Sequence, residues 1–254
     1  LDVKISVCII TFNEEESIER CIRSVSGFAD EVIVVDSGSD DATGDIVRRM
    51  GASFVHQDWL GFVGQKNFAV SLASNEWVFS IDADEEVSSG LREELMELKA
   101  KSGLVMVENV VGFSMPRCVM YNGRWIKNGD WYPDRLVRLF RKGRARFSGG
   151  KVHERLEVDG AVIRLAGDLH HYSFKDAEDH WSRCCKYAEL WAQTQFEMGR
   201  RVGPFAALTH SLFRWFRGYI LRGGFLDGAD GWQIARLSSR EVALKYRLLR
   251  GKWS

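Results

Sequence analysis

The first hundred residues alternate short apolar runs with amphipathic stretches. Ile5 to Ile10 is rich in β-formers. Behind it Ser17, Ile18, Cys21, Ile22 and Val25 recur at helical spacing. Glu31 to Val35 is a second run, and Asp41 or Thr43 can cap a helix reaching Met50. Ser53 to Val55 predicts a short third strand, Gly64 to Ala73 a helix, and Trp77 to Ile81 a fourth strand ending at Asp82. Leu91, Leu95 and Leu98 mark one more helix. Strands alternating with helices predict an α/β fold, a mostly parallel sheet with helices on both faces.

From Val110 to about Leu165 the pattern changes. Strand-like pieces at Val110 to Met115, Arg135 to Phe140 and Val162 to Leu165 are split by loops rich in Gly, Trp and Tyr. Beyond Asp176 the chain is helical almost throughout, with Pro204 suited to a helix start and Gly223-Gly224 to a stop. The expected division is an α/β part over residues 1–175, itself in halves 1–105 and 106–175, and a helical region over 176–254.

Ligands of open α/β sheets bind outside the carboxyl ends of the strands. That rule selects Thr11-Phe12-Asn13-Glu14-Glu15, then Asp36-Ser37-Gly38-Ser39-Asp40-Asp41, then Asp82-Ala83-Asp84-Glu85-Glu86. Acids converging on one sheet edge repel each other unless a cation joins them, so the edge reads as a site for Mg²⁺ or Mn²⁺ with an anionic ligand. Neither GxGxxG nor GxxxxGK[ST] is present, which argues against a dinucleotide-dependent dehydrogenase or a P-loop protein. Asp40 and Asp41 read first as helix caps.

The 254 residues suit one α/β domain with a helical appendage. Basic and acidic residues balance at 35 each, so net charge gives no reason to expect a nucleic-acid or membrane partner. From Arg200 onward, however, the chain is locally basic. The five cysteines form no CxxC, and adjacent Cys184 and Cys185 make a poor disulfide pair, as in a reducing compartment. No signal peptide or run of eighteen apolar residues is visible, and the chain opens on Leu1 rather than Met, as a trimmed start would.

The three acidic clusters, each following an apolar strand, resemble glycosyltransferase family 2 with its GT-A fold. The likeness runs through Val7 to Glu15, Val34 to Asp41 and Phe79 to Asp84, the last a DxD motif at a strand end. The resemblance implies a Rossmann-like, mixed but mostly parallel sheet flanked by helices, with a C-terminal helical extension. It also implies an inverting transferase using a nucleotide sugar. Thr11, Asn13 and Glu14 would line the nucleotide pocket, and Asp36 would contact base or ribose. Asp82 and Asp84 would hold ribose and metal. Gly64-Gln65-Lys66-Asn67 resembles the family's basic-Asn pair; Lys66 could neutralise diphosphate charge or stand as a solvated lysine. Uridine is the base the resemblance favours, with Mn²⁺ or Mg²⁺ as cofactor.

An inverting transferase needs a base for the acceptor hydroxyl. The resemblance assigns that role to Glu154, in Val152-His153-Glu154, with His153 orienting it or lining the pocket and Asp134 as the runner-up. In Leu169-His170-His171-Tyr172, His171 fits the late histidine that completes the metal or diphosphate site in many GT-A enzymes; a satisfied structural histidine is the other reading. Arg135 to Arg141 alternates basic and apolar residues, so one face could meet an acidic acceptor or diphosphate, or the run could be a solvated edge strand.

On a helix from Pro204 to Arg222, the residues Phe205, Leu208, Leu212, Phe216, Tyr219 and Ile220 share one face, with Arg214 opposite and Arg217 and His210 on the polar flank. Such a helix can lie in a membrane interface or pack its apolar face on the catalytic domain. Gly223 to Gly228 and Lys245-Tyr246, together with the Arg135 and Val152 stretches, resemble the bacterial branch that adds sugars to the lipopolysaccharide inner core, notably glucose to a heptose. That implies a lipid-linked saccharide acceptor and a cytoplasmic protein peripheral to the inner face of the inner membrane, with tail helices free to pair into a homo-oligomer. Transfer to a peptide or polyprenyl phosphate, and a catalytically silent nucleotide-sugar binder, are the alternatives.

Overall fold

The computed structural model describes residues 3–100, 109–149, 154–174 and 176–253. They divide into two compact units, one of residues 1–117 and 135–171, the other of 118–134 and 172–254.

The first unit opens with β1 (Ile5–Thr11), α1 (Ile18–Val25), β2 (Glu31–Asp36), α2 (Thr43–Arg49), β3 (Ser53–His56), α3 (Gly61–Leu72) and β4 (Trp77–Asp82). These strands lie in the order β3-β2-β1-β4 and pair in parallel. β1 is buried along nearly its whole length, as a strand covered on both faces must be. Ile5, Val7 and Ile9 of β1 pack with Trp77, Phe79 and Ile81 of β4 beneath α1 and α2. On the opposite face Cys8, Val35 and Val78 meet Ala69 and Ala73 at α3. The period-two alternation of the strands therefore places Asp82, which shares parity with Val78, on the α3 side.

β5 (Glu85–Val87) and α4 (Ser89–Ala100) follow, then β6 (Val110–Tyr121), β7 (Arg124–Ile126) and β8 (Asp134–Arg141). β8 runs antiparallel to β4 and sits between β4 and β6, inside the sheet. The reading of this basic run as a solvated edge is thus corrected: Leu139 and Phe140 are fully buried on opposite faces. β9 (Ala145–Gly149) pairs with β10 (Glu154–Val158), β11 (Ala161–Arg164) joins β6 in parallel, and β12 (Leu169–His171) pairs antiparallel with β5. The sheet is mixed and mostly parallel, as expected.

The second unit holds α5 (Ala177–Glu197), α6 (Ala206–Phe216) and α7 (Gly228–Gly251). The Asp176 carboxylate caps α5, accepting from the backbone N–H groups of Glu178 and Asp179 at 2.9 and 2.8 Å. α6 runs into a π-helical turn at Arg217–Leu221 and stops at Gly223, whose φ of 69° suits glycine. Tyr121, Trp131, Phe174 and His180 form an aromatic nest in which Trp131 and Phe174 stack with centroids 5.1 Å apart. α7 passes so close to the preceding turn that a Cβ at Gly231 would lie 1.8 Å from the Gly224 carbonyl oxygen.

α6 is turned the opposite way from an ordinary surface helix. Ser211 is buried, its carbonyl accepts from Ser239 Oγ at 2.8 Å, and the His210 ring stacks on Tyr246 at 4.4 Å. The apolar face instead looks outward, with Phe205 72 % and Leu212 58 % exposed. Within its own unit, then, it is the polar side of α6 that packs. Small residues such as Ser211 let α6 and α7 close together on the polar side, which leaves the large apolar side chains outside. Among the described residues no helix is long and apolar enough to cross a membrane.

Candidate active site

The loops after β1 and β2 are laced together at the sheet's carboxyl edge. Asn13, at φ 53°, donates its backbone N–H to Ser39 Oγ and accepts from Asp40 N–H on its side-chain oxygen, at 2.8 and 3.0 Å. Asp36 is buried and accepts from the backbone N–H groups of Gly38 and Ser39 and from Ser39 Oγ. It therefore shapes its own loop. Asp41 accepts from Thr43 N–H at 2.9 Å and from Glu15 N–H at 3.1 Å; the N-cap of α2 is Ala42, so the expectation that Asp40 and Asp41 cap it is corrected, and Asp40 donates its backbone N–H to Asn13. Thr11 is buried, and its hydroxyl has no partner among the described residues.

Deeper in the edge is a cluster of charged side chains. Lys66, from α3 and only 2 % exposed, places Nζ 2.8 Å from Asp82 and 2.5 Å from Glu154 Oε1. Arg138 from β8 reaches the same Asp82 at 2.9 Å and grips both oxygens of Glu85 at 2.6 and 2.7 Å. Burial by itself would raise the Asp82 carboxyl, but the charges of Lys66 and Arg138, with hydrogen bonds from both, hold it well below the usual carboxylate range. Burial opposes the charge on Arg138, yet Glu85 and then Asp82 keep it firmly protonated. Asp82, expected at ribose or metal, is thus a fixed anion: Lys66 and Arg138 both donate to Oδ2, while the buried Oδ1, 2.8 Å from Lys66 Nζ, accepts no hydrogen bond among the described residues.

Asp84 and His171 form a second, more open group. β12 lies against β5 with His171 opposite Glu85, and this pairing brings His171 Nε2 to 3.1 Å from Asp84 Oδ2. The other ring nitrogen, Nδ1, is buried without a partner among the described residues. Glu14 stands near enough that its carboxyl is raised, first by burial and then by the Asp84 charge. Among the described residues no three His, Cys, Asp or Glu side chains gather into a ready-made metal cage. One carboxylate, one imidazole and acidic crowding nonetheless fit a divalent cation that takes its remaining ligands from phosphate oxygens and water.

Several expected residues have other occupations. The Asn67 side chain donates to the Phe147 carbonyl at 2.9 Å and accepts from its N–H at 3.0 Å, so it fastens β9 to α3. Asp134 opens β8 four residues before Arg138, and it is Glu154 that pairs with Lys66. His153 lies outside the described residues. Arg138 and Glu85 were not singled out as site residues. The one signal available was Arg138 standing among apolar neighbours in a strand, where a buried charge requires a partner.

Residues 6–156 match the model of the family described as Glycosyl transferase family 2. The chain is 33% identical over 96% of its length to an uncharacterized glycosyltransferase of Rickettsia typhi, of which 89% is covered. It is 31% identical, over 96% of its length and 93% of the relative's, to the lipopolysaccharide core biosynthesis glycosyltransferase LpsC of Rhizobium meliloti. Among solved structures, glucosyl-3-phosphoglycerate synthase of Mycobacterium tuberculosis in complex with Mn²⁺, UDP and glucosyl-3-phosphoglycerate superposes with a TM-score of 0.50. That match has 18% identity and covers 79% of this chain and 82% of that one, a likeness of fold.

Proposed function

This chain belongs to glycosyl transferase family 2 and is a glycosyltransferase, and from that premise we propose that it moves glucose from UDP-glucose, with inversion, onto a lipid-linked saccharide of the lipopolysaccharide-core class. The observation that carries the catalytic part is the convergence of Lys66, Asp82, Arg138 and Glu154 beside the Asp84–His171 pair. The acceptor class is supported by the full-length likeness to LpsC. The donor and metal are supported by the fold neighbour that binds UDP and Mn²⁺.

Asp84 and His171 would hold the divalent cation. When bound, that cation neutralises the departing diphosphate as a Lewis acid. Lys66 adds a buried positive charge at the same edge, and the unpartnered Thr11 hydroxyl offers the nucleotide a hydrogen bond. Asp82, fixed by two cations, offers its carboxylate to the ribose. Glu154 keeps Oε1 on Lys66 and has no described partner on Oε2. In the transfer the acceptor oxygen bonds to the anomeric carbon, the bond from that carbon to the diphosphate breaks, and the acceptor proton passes to Glu154. A lipid-linked acceptor puts this reaction at the cytoplasmic face of the inner membrane, with the protein attached peripherally.

Calorimetric titration with UDP, GDP and CDP, each with and without Mn²⁺, tests the donor site. UDP should bind at least about tenfold more tightly with Mn²⁺ than without it. Equal binding in both conditions would remove the metal role from Asp84 and His171, and preference for GDP or CDP would remove UDP-glucose as donor.

A further inference from the structure

The outward apolar face of α6 is the feature that the chemistry above leaves unexplained. Phe205, Leu208, Leu212, Phe213 and Phe216 are 72, 57, 58, 57 and 45 % exposed, and Leu221 in the π-helical turn extends the patch at 62 %. Isolated exposed hydrophobic residues are ordinary on a protein surface; a contiguous stripe this rich in large side chains is not. On one helix the stripe faces solvent while its polar side faces the rest of its own unit.

Charge identifies what covers it. Between Glu197 and Asp227 the chain has five arginines and no acidic residue. Arg214, Arg217 and Arg222 share the carboxylate of Asp130, at 2.9 to 3.1 Å, with Glu241 also acting on Arg214, and Arg200, Arg201 and Arg222 are exposed. Arg222, next in sequence to the exposed Leu221, is half exposed. A second copy of the chain seated on this face would bring one arginine-rich border against another. An anionic bilayer surface complements both parts, accepting the apolar side chains between its acyl chains and pairing phosphate groups with the arginines.

We propose that α6 and the turn after it are the membrane-docking surface of this protein, seated in the interface of a bilayer rich in anionic lipid. This deepens the peripheral attachment proposed above and rests on the lipid-linked acceptor for its purpose. The helix lies in the plane of the membrane surface without spanning it. Its attachment draws on apolar burial and on headgroup charge together, so it weakens as salt rises.

The test is flotation of the full chain with vesicles of phosphatidylcholine alone and of phosphatidylcholine with phosphatidylglycerol in equal parts. The wild type should partition at least about tenfold more strongly onto the anionic vesicles. Leu212→Glu with Phe216→Glu, both exposed, should reduce that partitioning by at least about tenfold. The same variant should bind UDP and Mn²⁺ as the wild type does, which separates failure of docking from failure of the donor site. The proposal is overturned by equal flotation of variant and wild type, by no flotation of either, or by a concentration-dependent dimer in sedimentation that the double substitution abolishes.

Discussion

In the first unit Asp82 is held by Lys66 and Arg138, and in the second Asp130 is held by Arg214, Arg217 and Arg222. The first cluster draws on α3, β4, β5, β6, β8 and β10, elements far apart in sequence, and sets three carboxylates against Lys66 and Arg138, with Arg117 farther off at 3.9 Å from Glu85. The second takes its arginines from nine consecutive residues and has three cations for one carboxylate. The first also lies beside unsatisfied groups, Thr11 Oγ1 and His171 Nδ1, whereas both Asp130 oxygens are fully used. Similar ion pairs thus serve different ends. A cluster with the further acid Asp84 and unfilled hydrogen bonds beside it is prepared for a cation and a ligand, and one closed around its anion holds a helical turn in place.

The sharpest way to break that contrast is at Asp84 and Glu154. Asp84→Asn should lower kcat/KM by about 10³-fold or more and abolish the Mn²⁺ dependence of UDP binding, with the unfolding midpoint unchanged. A loss below tenfold would show that Asp84 does not meet the metal. Glu154→Gln should lower kcat by about 10²- to 10⁴-fold while leaving UDP affinity nearly intact. If affinity falls and kcat does not, Glu154 serves donor binding and is not the base.

Asp130→Asn should act on stability. It strands three guanidiniums around a neutral amide, and with those arginines partly exposed the loss should be about 2–3 kcal/mol in denaturant titration. An unchanged midpoint would mean the arginines are satisfied by solvent. A comparable effect should come from pH. Burial pushes His180 down from 6.5 to about 4, so it folds neutral while the unfolded chain takes up its proton first. Stability should therefore fall as pH drops from 6.5 toward 4, by up to about 3 kcal/mol from this group, and level off below that. In His180→Phe that part of the slope should vanish; an identical slope would assign it elsewhere. The smallest effect belongs to Asn67→Ala, about 1–2 kcal/mol from two hydrogen bonds to Phe147, with UDP affinity changed less than about twofold. A large loss of affinity there would restore Asn67 to the donor pocket.

The sequence made the parallel strands and their acidic carboxyl ends plain, because β1, β2 and β4 are apolar runs with turn residues behind them. It did not reveal β5 or β12, whose three residues are too short to display a period, and so the approach of His171 to Asp84 was expected only by resemblance. Arg138 was hidden for a different reason. Periodicity places it on a face but does not say which acids from β4 and β5 meet it there. α6 showed its amphipathic pattern clearly, but a pattern does not carry its own direction. That depended on Ser211 and the glycines of the neighbouring turn, which allow the polar side to pack closely.

Gly231 has a consequence for how this protein can change over generations. With no room for even a methyl group between α7 and the Gly224 carbonyl, a mutation there must move a helix of 24 residues. The outward side chains of α6 are under no such restriction, since one large hydrophobic residue can replace another without disturbing a neighbour. Descendants of this chain should therefore drift in spelling along the exposed stripe while keeping its oiliness, and should hold position 231 as an unvarying glycine.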